Sequence, residues 1–250
     1  MMNYLKSEFY RVTHMREFYI TAAVFAGLAI LLNLGIYKFG NQYATTSFSY
    51  SNAGAVPMVF ALSGAIIVNS IYGGIRKDGN LKNAVSGGVP RVKLFISQCI
   101  TGVFTATTIM ILTLAIWFLC AELLLASAGP FHFTNLLLET LAVYPTAAAL
   151  LISTLLFFYV FEKDIVTVLA VLTIWLFLPR LVLLLSLKHE FLHPIAMWMP
   201  ENILRITVNM RQYSAVWETA QGFLRCILSG AAGIVIFTLL GALCLRKKDL

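Results

Sequence analysis

The chain has 250 residues, of which 60% are hydrophobic and 12% charged, and its formal net charge is +7. Soluble domains carry about 25% charged residues, so a soluble globular protein is excluded, because it could not cover so apolar an interior. A nucleic-acid partner for the positive charge is set aside as well, since the Lys and Arg residues sit at the ends of apolar stretches, where membrane topology signals belong.

A hydrocarbon core about 30 Å thick needs roughly 20 apolar residues per crossing helix. With no water to pair its backbone groups, each crossing must be helical. Residues 3–19, NYLKSEFYRVTHMREFY, alternate charge with aromatic groups. Tyr4, Leu5, Phe9, Val12 and Met15 recur near helical spacing, which predicts an amphipathic helix lying in the interface. The first span is expected at about 18–37, followed by a polar loop over 38–54 and a second span at about 55–75. Charge within the first twenty residues and the length of the first apolar stretch argue against a cleavable signal peptide.

Residues 76–93, RKDGNLKNAVSGGVPRVK, form the most polar internal segment. Asp78, Gly79 and Asn80 read as a turn or a helix start. Leu81, Ala84 and Val85 then share one helical face, and Ser86-Gly87-Gly88 with Pro90 ends the helix. A short surface helix of this kind is either a docking element for a cytoplasmic partner or an interfacial loop that sets topology. The third span is expected at about 94–121, a turn around Gly129-Pro130 follows, and the fourth span runs over about 136–161 with Pro145 toward its start. Glu162-Lys163-Asp164 makes a tight turn into a fifth span at about 165–187. The connection 188–221 holds Pro194, Trp198, Pro200 and Trp217, and its apolar stretches are too short to span. A surface loop with aromatic anchors is one reading of them. The sixth span is expected at about 222–245.

The fold class is therefore an all-α membrane protein: six transmembrane helices, an N-terminal amphipathic interfacial helix, both termini cytoplasmic, and one membrane domain over 1–250. Orientation rests on the basic residues. Lys6, Arg11, Arg16, Arg76, Lys77, Lys82, Arg91, Lys93, Lys163, Arg246, Lys247 and Lys248 lie on one side, against Lys38, Lys188, Arg205 and Arg211 on the other. The richer side is the inner one.

Few residues within the spans carry chemistry. Asn33, Asn69 and Gln98 are read as hydrogen-bonding between helices, with Asn33 and Asn69 kept as possible pathway residues. Arg180 either snorkels to the outer headgroups or faces a pathway, and Glu122 is read as interfacial. Gly230, Gly233 and Gly241 permit close helix approach. Cys99, Cys120, Cys226 and Cys244 lie in apolar stretches without paired spacing, so they read as small core residues rather than a disulfide or zinc site. His189 and His193 are four residues apart, but Pro194 and the lack of a third ligand argue against a metal. No catalytic constellation stands out.

The layout resembles type 2 ABC transporter permeases, the membrane subunits of bacterial ABC exporters. The resemblance is carried by LKSEFYRVTHMREFY before the first span, by GGIRKDGNLKNAVSGGVPRVKLFISQ after the second, by the six spans and by the closing LRKKDL. It implies that Arg76, Lys77, Asp78, Leu81, Lys82, Ala84 and Val85 belong to a cytoplasmic coupling helix at 76–93 that docks an ATPase, with Glu162, Lys163 and Asp164 making a lesser contact. For the connection 188–221 it implies the other reading, half-helices dipping into the outer leaflet. It also implies a second permease subunit, as homodimer or related heterodimer, membrane lipid around the assembly, and a location in the bacterial cytoplasmic membrane. No G-x-x-x-x-G-K-[ST] phosphate loop occurs in the chain, so no cofactor is expected here, and ATP and Mg would be bound by the partner ATPase. The implied cargo is hydrophobic or amphipathic: a peptide toxin or bacteriocin, a lipid or a drug. A secondary transporter or an intramembrane enzyme are the alternatives.

Overall fold

A computed structural model describes residues 2–54, 57–72, 90–161, 163–204, 206–209 and 212–247. The chain is an α-helical membrane protein, and among the described residues five helices are long and apolar enough to cross a bilayer.

Helix α1 (Met2–His14) stops at Met15, whose extended backbone (ψ 140°) separates it from α2 (Arg16–Phe39). The face of α1 carrying Glu8 and Val12 is buried while Lys6, Tyr10 and Thr13 are exposed, as an amphipathic helix requires. The expected polar loop 38–54 is partly helical instead. After a 3-10 turn (Asn41–Tyr43), α3 (Thr46–Gly54) leads toward α4 (Pro57–Tyr72). Its Ser and Asn residues are accommodated because their side chains bond backbone or neighbouring helices, Ser51 Oγ and Asn52 Nδ2 both donating to Phe48 O. The second expected span corresponds to α4, whose 16 residues reach about 24 Å at 1.5 Å per residue. The remainder of the expected span, 55–56 and 73–75, lies outside the described residues.

Pro90 begins α5 (Arg91–Leu124), and α6 (Phe133–Val160) returns antiparallel to it after a short connection. Pro145 lies inside α6, not near its start as the sequence reading had it. The fifth span is also modified. Helix α7 (Asp164–Leu172) passes through a π-helical turn (Thr173–Phe177) into α8 (Leu178–Ser186). The Leu178 N–H bonds Thr173 O, five residues back. This wide turn comes directly before Pro179, which has no N–H to offer a regular ladder.

The connection to the last helix contains α9 (His193–Trp198), α10 (Pro200–Ile203) and an antiparallel hairpin. The hairpin pairs β1 (Ile206–Asn209) with β2 (Gln212–Ala215), Ile206 opposite Ala215 and Asn209 opposite Gln212. These two strands are the exception to the expected all-α class, and each element is too short to cross a bilayer. Helix α11 (Ala220–Lys247) closes the bundle.

Helix α6 is the centre. Of its most apolar 18-residue stretch 78% is buried, against 17% in each of the other four long helices. It is covered chiefly by α11 and α4. The surrounding helices turn Leu28, Leu31, Ile165, Leu169, Leu184, Leu239 and Leu243 outward, which suits lipid and would be untenable in water.

Helix directions follow from contacts. The loops after α2 and α5 are joined, with Thr46 N bonding Ala126 O (2.9 Å) and Phe131 N donating to Ser47 Oγ (2.9 Å). Gly129 makes this junction possible: its φ is +106°, and a Cβ there would stand 2.4 Å from Ser47 Cβ. Helices α2 and α5 therefore run the same way. Gly230 and Gly233 of α11 face Pro145 and Ala149 of α6, so that pair is also parallel. Val12, Tyr72, Leu94, Phe95, Tyr159 and Leu245 form one buried cluster. Helix α1 and the last turns of α11 thus share one end of the bundle.

Candidate functional site

A cavity of about 320 Å³ lies between α2, α3, α4, α5 and α6. Three helices contribute by helical spacing: Phe25, Leu28, Ala29 and Leu32 on α2, Ile109, Met110, Thr113, Leu114 and Trp117 on α5, and Leu136, Glu139, Thr140 and Val143 on α6. Each set recurs at three- and four-residue intervals and so lines one face. The volume falls in the range of small-molecule sites. Leu28, Leu32 and Asn52 at its rim are exposed, so the cavity opens to the surface beside α2.

The wall carries one carboxyl group. Glu139 is 3% exposed, and its Oε2 has no hydrogen-bond partner among the described residues. The other polar liners are already engaged. Thr113 Oγ1 donates to Ile109 O (2.8 Å), Thr140 Oγ1 to Leu136 O (2.8 Å), Asn52 Nδ2 to Phe48 O (2.7 Å) and Trp117 Nε1 to Ser49 Oγ (2.9 Å). An ionisable residue inside a membrane helix is costly and marks function by default. The sequence reading passed over Glu139 because it sits four residues into the fourth apolar stretch, where an acidic group looks interfacial. The available signal was its place on the same face as Leu136, Thr140 and Val143.

Beside the cavity, Asn33 is fully buried and already bonded. Its Nδ2 donates to Ala29 O (2.9 Å) and its Oδ1 accepts from Ser49 Oγ (2.6 Å). Asn33, Ser49 and Trp117 thereby join α2, α3 and α5, the interhelical role expected of Asn33, although its partner helix α3 was not foreseen. Gln98 is similar, its Oε1 accepting from Tyr159 OH (2.5 Å). Glu122 has a partner as well as a place at the helix end: Tyr50 OH donates to Oε1 (2.7 Å). Burial and this carboxylate raise the Tyr50 pKa above the ordinary phenol range. Asn69 is exposed on α4 and does not line the cavity.

Arg180 neither snorkels alone nor faces the cavity. Its Nε bonds Oε1 of buried Glu201 on α10 (2.7 Å). Asn202 Nδ2 donates to Pro179 O and Ala196 O, and Ser229 Oγ donates to Trp198 O, so α8, α9, α10 and α11 are bound together. Arg225 lies over the Trp198 ring at 5.2 Å. Helices α9 and α10 of this connection are therefore packed onto the bundle.

At the opposite end, Arg11 and Glu8 on α1 form a bidentate ion pair beside the Tyr72 ring, 5.5 Å from the guanidinium. Burial lowers the Arg11 pKa, but the hydrogen bond and charge of Glu8 outweigh it and hold the group above its usual value. Arg76, Lys77, Asp78, Leu81, Lys82, Ala84 and Val85 lie outside the described residues, as does Glu162. Lys163 is exposed ahead of α7, and Asp164 is its first residue. Among the described residues no three His, Cys, Asp or Glu side chains converge as metal ligands would. No family model, no curated protein sequence and no solved structure matches the chain.

Proposed function

We propose that the chain is the membrane subunit of an ATP-driven exporter of the type 2 ABC permease kind. In this reading it moves a hydrophobic or amphipathic substrate, such as a peptide toxin, bacteriocin, lipid or drug, out of the cell. ATP is hydrolysed by a separate subunit docked on the inner face, and a second permease subunit completes the pathway. The observation that carries the reading is the organisation of one end of the bundle. Tyr72 and Leu94, which flank the basic segment 76–93, share a buried cluster with Val12 of α1 and Leu245 of α11. A separate motor gripping 76–93 would therefore push on α4, α5, α1 and α11 together. The chain has no phosphate loop to serve as its own motor.

In the mechanism that follows, ATP-bound subunits close against each other and favour one arrangement of the helices over another, which is the thermodynamic requirement for coupling. Arg76, Lys77, Asp78, Leu81, Lys82, Ala84 and Val85 transmit the motion, with Glu162, Lys163 and Asp164 as a second contact. Charge reversal (Arg76→Glu with Lys77→Glu) or Ala84→Pro should leave the assembly in the membrane yet abolish substrate-stimulated ATP turnover. Unchanged stimulation in both would remove the coupling assignment. The buried carboxyl of Glu139 within α6 favours a second reading, an ion-coupled secondary transporter. Uptake or efflux by the purified chain in proteoliposomes, driven by a pH gradient without nucleotide, distinguishes that case.

A further inference from the structure

We infer that the cavity between α2, α5 and α6 is a binding site for a lipophilic amine, with Glu139 as the counter-ion of its ammonium group. The inference does not rest on the exporter reading and would hold for any membrane protein with this geometry.

Three observations carry it. The cavity is large enough for a small organic molecule and its wall is otherwise apolar or already bonded, so a ligand must supply mainly hydrophobic surface. Thr113, Thr140 and Trp117 each have their one donor committed and Asn52 has one of its two, while Glu139 Oε2 is buried and has no partner among the described residues. Among the described residues no Lys, Arg or His lines the space, so they offer the carboxylate no cation there. A carboxylate left alone in such a medium is strongly disfavoured. An ammonium group brought by the ligand makes a net-neutral, hydrogen-bonded pair and removes that penalty. Trp117 and Phe25 also line the space, so aromatic surface is among what a ligand would meet. A neutral lipid chain would fill the volume but leave the carboxyl unmatched. The open rim at Leu28 and Leu32 lies on the outward face of α2, so the amine enters from the bilayer side.

The test uses the full chain in lipid nanodiscs and a matched pair of probes, phenylbutylamine and phenylbutanol, which share size and apolar body and differ in charge. Equilibrium binding is read by scintillation proximity with the radiolabelled amine and by competition for the alcohol, at a pH where the amine is protonated. The amine should bind at least about tenfold tighter than the alcohol, the scale of a charge-assisted hydrogen bond. Glu139→Gln should lose that preference while keeping the weaker binding of the alcohol, which shows that the variant is folded. Leu32→Trp, which plugs the rim without touching the carboxyl, should weaken both probes. Equal affinity of the two probes for the native chain would make the cavity a neutral lipid niche and overturn the inference. So would retention of the amine preference in Glu139→Gln, or no binding of the amine to the native chain.

Discussion

Gly230→Ala tests the packing of the central helix pair. A Cβ at Gly230 would stand 2.5 Å from Pro145 Cβ, 2.6 Å from Pro145 C and 2.6 Å from Thr146 N. Relaxed carbon–carbon contact is about 3.5–4.0 Å, so α11 would have to retreat by roughly 1 Å at this crossing. Two of the three obstructing atoms are backbone, so no rotamer change relieves the overlap. Overpacking of this kind costs about 1–3 kcal/mol. Gly27 on α2 is the control, because a Cβ there meets nothing within 4 Å. Gly27→Ala should be neutral or stabilising by about 0.5–1 kcal/mol, the usual gain from replacing glycine within a helix. Both variants can be followed by equilibrium unfolding in mixed micelles of mild detergent and SDS. Indistinguishable midpoints for the two would refute the close approach of α11 to α6 at Pro145.

The ion pair between α8 and α10 gives a second outcome. Arg180→Ala leaves the buried Glu201 carboxylate unpaired. Because the Arg180 side chain is 59% exposed, solvent screens part of the effect and the cost should be about 1–2 kcal/mol rather than that of a fully buried pair. Adding Glu201→Gln should recover part of it, whereas additive losses in the cycle would show that the pair is not coupled. Topology is checked by single cysteines in a background lacking the four native ones. Gln42→Cys and Ala128→Cys, at neighbouring loops joined through Ser47 and Phe131, should both label from outside intact cells, and Asn83→Cys should not. The reverse pattern would invert the orientation.

Much of the helical scaffold was legible in the sequence because length and hydropathy decide it. The bounds of the expected spans 18–37, 94–121, 136–161 and 222–245 differ by one to three residues from those of Arg16–Phe39, Arg91–Leu124, Phe133–Val160 and Ala220–Lys247. Amphipathic spacing marked α1, whose Val12 is buried as that spacing requires. Features that depend on partners distant in sequence were hidden. Helix α3 reads as a polar loop until Asn33 and Trp117 are seen to take up Ser49. Arg180 reads as a lone charge until α10, 21 residues on, brings Glu201 to it. The bulge over Thr173–Phe177 has Pro179 as its signal in the sequence, but a proline in an apolar stretch does not by itself say whether the helix breaks, kinks or widens. Glu139 was overlooked for the same reason that makes it informative. It lies near a helix start, where acidic residues are common, and only the packing of α3, α4 and α5 against α6 turns a helix-end carboxyl into a buried one.

Affinity purification of the tagged chain from its native membrane, in mild detergent, tests the central claim most directly. The account predicts that a soluble ATPase bearing a phosphate loop is retained, and that its ATP turnover responds to substrate only when this chain is present. Recovery of the chain alone, fully able to move its substrate without nucleotide, would contradict it.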